Sequence, residues 1–201
     1  MKLANRVPSH SLGVTSTTLP STTRAPLLID GTDRRFRQFI DNFVRLSARL
    51  QTLRAALAKG MGMTPPQYNI LMILARVEAP EGETMSSIAK RLDVSLSFVV
   101  SETRILKRLG LIELRRNPED GRSVLATVTR AGHARLARAA PKIQRVNDLL
   151  FSKLTRLELI AMDRTIMRIL KGSEAATIAL KIVPSAGASA RGGASRGSPQ
   201  R

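Results

Sequence analysis

The spacing of apolar residues changes at Gly110. Before it, apolar side chains recur every three or four residues. After it, Ile112 and Leu114 alternate with Glu113 and Arg115, and Val124, Ala126 and Val128 alternate with Ser123, Leu125 and Thr127. A recurrence of three to four is the signature of an amphipathic helix, and a recurrence of two that of a strand. From Leu136 onward the helical spacing returns. A chain that changes period in this way is expected to be mainly α with a small two-stranded β-hairpin, its turn shaped by Pro118 and Gly121.

The helical part resolves further. Phe36, Phe39, Phe43, Leu46, Leu50, Leu53 and Leu57 form one stripe from about Asp33 to Lys59, with Arg34, Arg45, Arg49 and Lys59 opposite. Ordinary helices run about 11–12 residues, so a stripe of this length is expected to pack on several elements or on a partner chain. Gly60 and Gly62 stop it. At residues 64–67, Thr64 can cap a second helix, Pro65 suits its first position, and Gln67 completes a capping-box spacing; Ile70, Leu71, Leu74 and Val77 are its apolar side. Thr84 or Ser86 opens a short third helix with Ile88, Ala89 and Leu92 inward. The sequence LDVS turns the chain, Ser95 caps a fourth helix to about Leu109, and Gly110 closes it. Two further stretches follow the hairpin, one marked by Leu136, Ala140, Ile143, Val146, Leu149 and Leu150, the other by Leu157, Ile160, Met162, Ile166 and Leu170.

These patterns divide the chain into a Ser/Thr/Pro-rich tail at 1–30, a folded region at 31–171, and a Gly/Ala/Ser-rich basic tail at 172–201, both tails being expected to be disordered. The charge is uneven. Of 33 basic and 15 acidic residues, the two ends hold seven and two, which leaves 26 and 13, or +13, on the middle. Such an excess calls for an acidic partner, nucleic acid or an anionic membrane surface. The sequence has no Cys, which excludes disulfides and thiolate metal sites, and its two His, His10 and His133, are far apart, so neither a metal nor another cofactor is expected. The longest apolar run, ILMILA at 70–75, is too short to span a bilayer. No nucleophile–base pair, Gly-rich phosphate loop or carboxylate dyad suggests an enzyme. The expectation is a cytoplasmic protein that is not an enzyme, nucleoid-associated when bound to DNA.

Two short helices joined by a tight turn and followed by a hairpin make a winged helix-turn-helix, expected over 64–130. Its second helix fits the DNA major groove, where each base pair presents its own hydrogen-bond pattern. Ser97, Ser101 and Arg104 project from the first turns of that helix and could reach base edges, Arg104 by pairing with a guanine; the alternative is an ordinary solvated face. Phe98 and Val100 are expected to pack into the core, although one of them could touch a thymine methyl. Arg122 would make the hairpin tip a probe of the narrow, electronegative minor groove; the alternative is a salt bridge to Asp120 only. Arg115 and Arg116 stand between phosphate contact and plain solvated strand. Lys90, Lys107 and Arg108 could position phosphates, which sets register and not sequence. His133 reads as structural.

In order and spacing, MTPPQYNILMIL, SSIAKRLDVS and ILKRLGLIELRRNPEDGRSVLATVTRAG resemble the MarR family of bacterial regulators over roughly 34–170. The wing is the most specific part. Asp120, Arg122, Thr129 and Gly132 stand at the family's spacings, with Val128 where Leu is usual. The resemblance implies a homodimer whose first and last helices (33–59 and 131–171) interlock. It also implies that Asp120 braces the wing, that Arg122 touches DNA, and that a small aromatic or apolar effector binds between the dimer helices and the winged domain. There are departures. Asn117 stands where Asp is frequent, Gly121 and Ser101 where Arg is frequent, and Glu102 where an apolar residue is usual. The function expected is a sequence-specific, ligand-responsive repressor on a palindromic operator. The alternative, favoured by the charge and the Ser-rich helix, is a protein that coats DNA without sequence preference.

Overall fold

The computed structural model describes residues 19–77 and 81–182. The tail expected at 1–18, and the part of the C-terminal tail beyond 182, lie outside the described residues. The elements are α1 (Arg34–Gly60), α2 (Pro65–Leu74), β1 (Glu83–Thr84), α3 (Met85–Leu92), α4 (Leu96–Arg108), β2 (Ile112–Arg116), β3 (Val124–Val128), α5 (Arg130–Leu150) and α6 (Arg156–Ile182). The fold is mainly helical with one small antiparallel sheet. The described residues divide into two compact units, with the boundary between Val146 and Asn147.

The first unit holds the winged helix-turn-helix. Its core gathers Met63, Ile70, Leu71, Leu74, Met85, Ile88, Ala89, Val99, Leu106, Leu111, Ile112 and Ala126 from α2, α3, α4, the sheet and the segments that join them. Ile70, Leu71, Leu74, Ile88, Ala89, Ile112 and Ala126 contribute through the period read above, and Val100, Leu92 and Val128 pack against the core half-buried. Leu57 and Ala58 of α1 form a second cluster with Tyr68 of α2, which joins the long helix to the winged domain.

Caps fall where the residue types require them. The Thr64 side chain accepts from the Gln67 amide at 3.4 Å while the Gln67 carboxamide accepts from the Thr64 amide at 3.1 Å, a reciprocal box. Thr84, not Ser86, caps α3, accepting from the Ser87 amide at 3.2 Å. A further box opens α6: Glu158 accepts from the Thr155 amide at 2.8 Å and hydroxyl at 2.7 Å, and these bonds hold its carboxyl below the ordinary range. At the start of α1, Ser21 and then Arg37 donate to Asp33 and hold that carboxyl well below the ordinary carboxylate range.

Three expectations are corrected. The sheet has three strands in the order β1-β3-β2, because Glu83 and Thr84 pair with Ala126 and Leu125. A two-residue strand has no period to read. It is placed by Gly82, whose φ of 89° and whose missing Cβ, which would stand 2.3 Å from the Ala126 carbonyl oxygen, let the chain run against β3. Residues 19–30 are not wholly irregular, since Ala25–Leu27 form a short 3-10 turn and Ile29 bridges Thr32. The C-terminal boundary at 171 falls inside α6, which continues to Ile182. Its extension GSEAATIALKI has good helix formers around Gly172 and no Pro, so nothing in it ends a helix already nucleated.

Candidate DNA-reading surface

The turn between α3 and α4 is set by Asp93, which takes the left-handed conformation (φ 53°, ψ 49°) at the C-cap of α3, while the Val94 amide donates to the Ala89 carbonyl at 3.1 Å. Ser95 then caps α4, accepting from the Phe98 amide at 3.2 Å, and its hydroxyl lies 3.1 Å from that of Ser97. Val99, Thr103 and Leu106 anchor the buried side of α4. Thr103, 1% exposed, donates its hydroxyl to the Val99 carbonyl at 2.8 Å, which satisfies a polar group inside the core.

With one side anchored, the helical period sends Ser97, Ser101 and Arg104 outward together. They stand four and then three residues apart, and all are exposed. Lys107 is exposed in the last turn of α4. Neither Arg104 nor Lys107 has an ion-pair partner among the described residues. Val100 packs half-buried against the core as expected, but Phe98 does not: it is 37% exposed. With Val99 and Thr103 filling the interior side, Phe98 falls a quarter-turn off it.

Glu102 is not a stray acid on this helix. Gln67, buried in the first turn of α2, donates its side-chain amide to the Glu102 carboxylate at 3.0 Å. One carboxamide thus completes the α2 cap and ties α2 to α4. Sequence reasoning saw the cap and missed the tie, because residues 67 and 102 meet only when the helices pack.

The wing is a hairpin in which Ile112, Glu113, Leu114, Arg115 and Arg116 face Val128, Thr127, Ala126, Leu125 and Val124. Its loop, 117–123, is held by its own polar groups. The Asn117 amide donates to the Ser123 carbonyl at 3.0 Å, and the Asn117 carboxamide donates to the Ser123 hydroxyl at 2.9 Å and accepts from the Glu119 amide at 3.1 Å. The Asp120 carboxylate accepts from the Arg122 amide at 3.1 Å, and the Asp120 carbonyl accepts from the Ser123 amide at 2.9 Å. Asp120 therefore bonds the backbone of Arg122. The exposed Arg122 guanidinium forms no ion pair among the described residues. Arg116 bends back across the tip and donates to the Gly121 carbonyl at 2.7 Å, so part of its role is to close the loop. Arg115 is exposed on the same strand.

The wing is seated by Thr129 and Gly132. The Thr129 hydroxyl donates to the Gly110 carbonyl at 2.7 Å and accepts from the Gly132 amide at 3.0 Å, capping α5 and pinning it to the end of α4. A Cβ on Gly132 would stand 2.2 Å from the Leu111 carbonyl oxygen, which is why a glycine follows the threonine by three. His133 is exposed on α5. Among the described residues no cluster of His, Asp or Glu could hold a metal ion, and no helix is long and apolar enough to cross a membrane.

Residues 61–123 match the MarR family in sequence. No curated protein matches the chain. The transcriptional regulator MosR of M. tuberculosis, solved in complex with DNA, is 20% identical with a TM-score of 0.53, and the likeness covers 68% of this chain and 96% of that one. The PcaV regulator of Streptomyces coelicolor, solved with its natural ligand, is 27% identical over 64% of this chain and 91% of that one, with a TM-score of 0.50. CouR of Rhodococcus jostii, bound to p-coumaroyl-CoA, is 19% identical over 63% and 87%, with a TM-score of 0.57.

Proposed function

We propose that this chain, whose residues 61–123 match the MarR family, is a sequence-specific DNA-binding repressor working as a homodimer on a roughly palindromic operator. One observation carries the reading: a single compact unit presents Ser97, Ser101 and Arg104 on an anchored helix, with Arg122 at the tip of a hydrogen-bonded loop. A helix face that fits the major groove, beside a cationic tip suited to the minor groove, matches the two widths of B-DNA. The net charge of +18 supplies the sequence-independent attraction to phosphates. Ser97, Ser101 and Arg104 read bases, Arg122 enters the minor groove, Asp120 braces it, and Arg115, Arg116 and Lys107 hold the phosphate backbone.

The homodimer is supported by apolar surface left over in a single chain. No residue of the 27-residue α6 is buried, and Leu157, Leu159, Ile160, Met162, Met167, Leu170 and Ile178 are among its exposed apolar side chains. Phe39, Ile40, Phe43 and Val44 are exposed on α1. Many apolar side chains left exposed along a helix mark an interface. Two subunits would place two recognition helices about one turn of DNA apart.

A small aromatic or apolar effector is proposed from the relatives solved with p-coumaroyl-CoA and with a natural ligand. It relieves repression only if it binds the DNA-incompetent arrangement more tightly. Footprinting on the chain's own promoter, in excess competitor DNA, tests the reading. A protected palindrome is expected. Uniform coverage would instead make this a DNA-coating protein.

A further inference from the structure

The outer face of α4 has two unlike edges. Ser97, Ser101, Arg104 and Arg108 recur at steps of four, three and four and make a cationic edge. Phe98 and Ile105, seven residues apart, make an apolar edge beside it, Phe98 exposed and Ile105 half-buried. Phe98 sits in the first turn, one residue from the fully buried Val99, and is not a member of either core cluster. An exposed aromatic on a DNA-facing helix keeps apolar surface in water, which burial against a partner would relieve.

The charges around it say which partner. Arg104, Lys107 and Arg108 lie on the same helix, whose one acid, Glu102, accepts from the Gln67 side chain. Such surroundings select a polyanion. In the major groove of a duplex the apolar feature on the base edges is the C5-methyl of thymine.

We infer that Phe98 reads a thymine methyl in each half-site, an assignment that rests on the DNA-binding reading above and adds a base identity to it. Phe98 and Arg104 are six residues apart on a helix rising about 1.5 Å per residue, or ~9 Å. Base pairs are spaced ~3.4 Å apart, so the thymine lies no more than a few base pairs from the guanine that Arg104 reads.

The test uses the full chain and its selected operator duplex. Each thymine is replaced in turn by deoxyuridine, which removes the methyl and nothing else, and affinity is measured at fixed salt. One position per half-site is expected to lose about fourfold, the effect of one apolar carbon, and substituting both half-sites together about tenfold or more. Phe98→Ala should bind thymine and uracil duplexes equally, and Phe98→Leu should keep part of the difference. Sensitivity at no position, or an unchanged thymine-to-uracil ratio in Phe98→Ala, overturns the assignment. If the chain selects a sequence but ignores the methyls, only this inference falls. If it selects no sequence at all, the regulator reading falls and takes the inference with it.

Discussion

At Arg122 the backbone and the side chain do separate work. Its amide donates to Asp120 and fixes the loop, and its guanidinium stays exposed at the tip. Arg122→Ala should therefore leave the loop bonded and remove only the probe. We expect about tenfold weaker operator binding in a gel-shift titration at fixed salt, with the dimer mass unchanged; equal affinity would remove Arg122 from the interface. Arg104 differs in kind. A bidentate contact to guanine contributes about 1–3 kcal/mol of discrimination. Arg104→Ala should relax preference at one position per half-site when binding sites are selected from a random pool. An unaltered motif would mean that Arg104 holds phosphate or solvent. Sequence spacing picked out both arginines, since each sits at a fixed offset from a cap or a turn. The dual use of Arg116, which closes the loop at Gly121, was not legible, because nothing in a strand pattern says that a side chain will fold back on its own turn.

Among the elements, the junction of α4, the sheet and α5 decides how the wing is aimed. Thr129 bonds both Gly110 and Gly132, so the end of one helix and the start of another are held through one hydroxyl. Gly132→Ala would drive a methyl into the Leu111 carbonyl and the Val128 side chain. Backbone cannot yield as a flexible side chain does, so we expect a loss of about 1–3 kcal/mol in chemical denaturation. A stability equal to that of the parent chain would show that the close approach relaxes freely. The helix starts at 65 and 96 and the β2–β3 hairpin were readable from caps and period. The third strand was not, because β1 exists only by pairing with β3.

For the whole molecule, the apolar surface on α1 and α6 is the feature a single chain leaves unexplained. Phe43 is 43% exposed and lies beside Phe39, with ring centroids 6.1 Å apart. A carboxylate there would meet an apolar partner surface and resist desolvation. Phe43→Glu should shift the mass in light scattering from twice 21.9 kDa to 21.9 kDa. Its circular dichroism should stay helical, and operator affinity should fall at least tenfold as two-site binding is lost. A dimer that survives the substitution would place the interface elsewhere.

Local information was enough for much of this protein. Caps, glycines and the switch of apolar period at Gly110 specify the helices and the hairpin, since each depends on residues within a turn or two of one another. The sequence alone also proposed Ser97, Ser101, Arg104 and Arg122, which the fold leaves exposed. Tertiary structure decided what distant residues do when they meet: the Gln67–Glu102 tie, the close seating of Gly132 on Leu111, the edge strand at Glu83, and the exposure of Phe98. Each depends on how elements pack in space, and a one-dimensional pattern of polar and apolar residues records which face is apolar without recording what it will face.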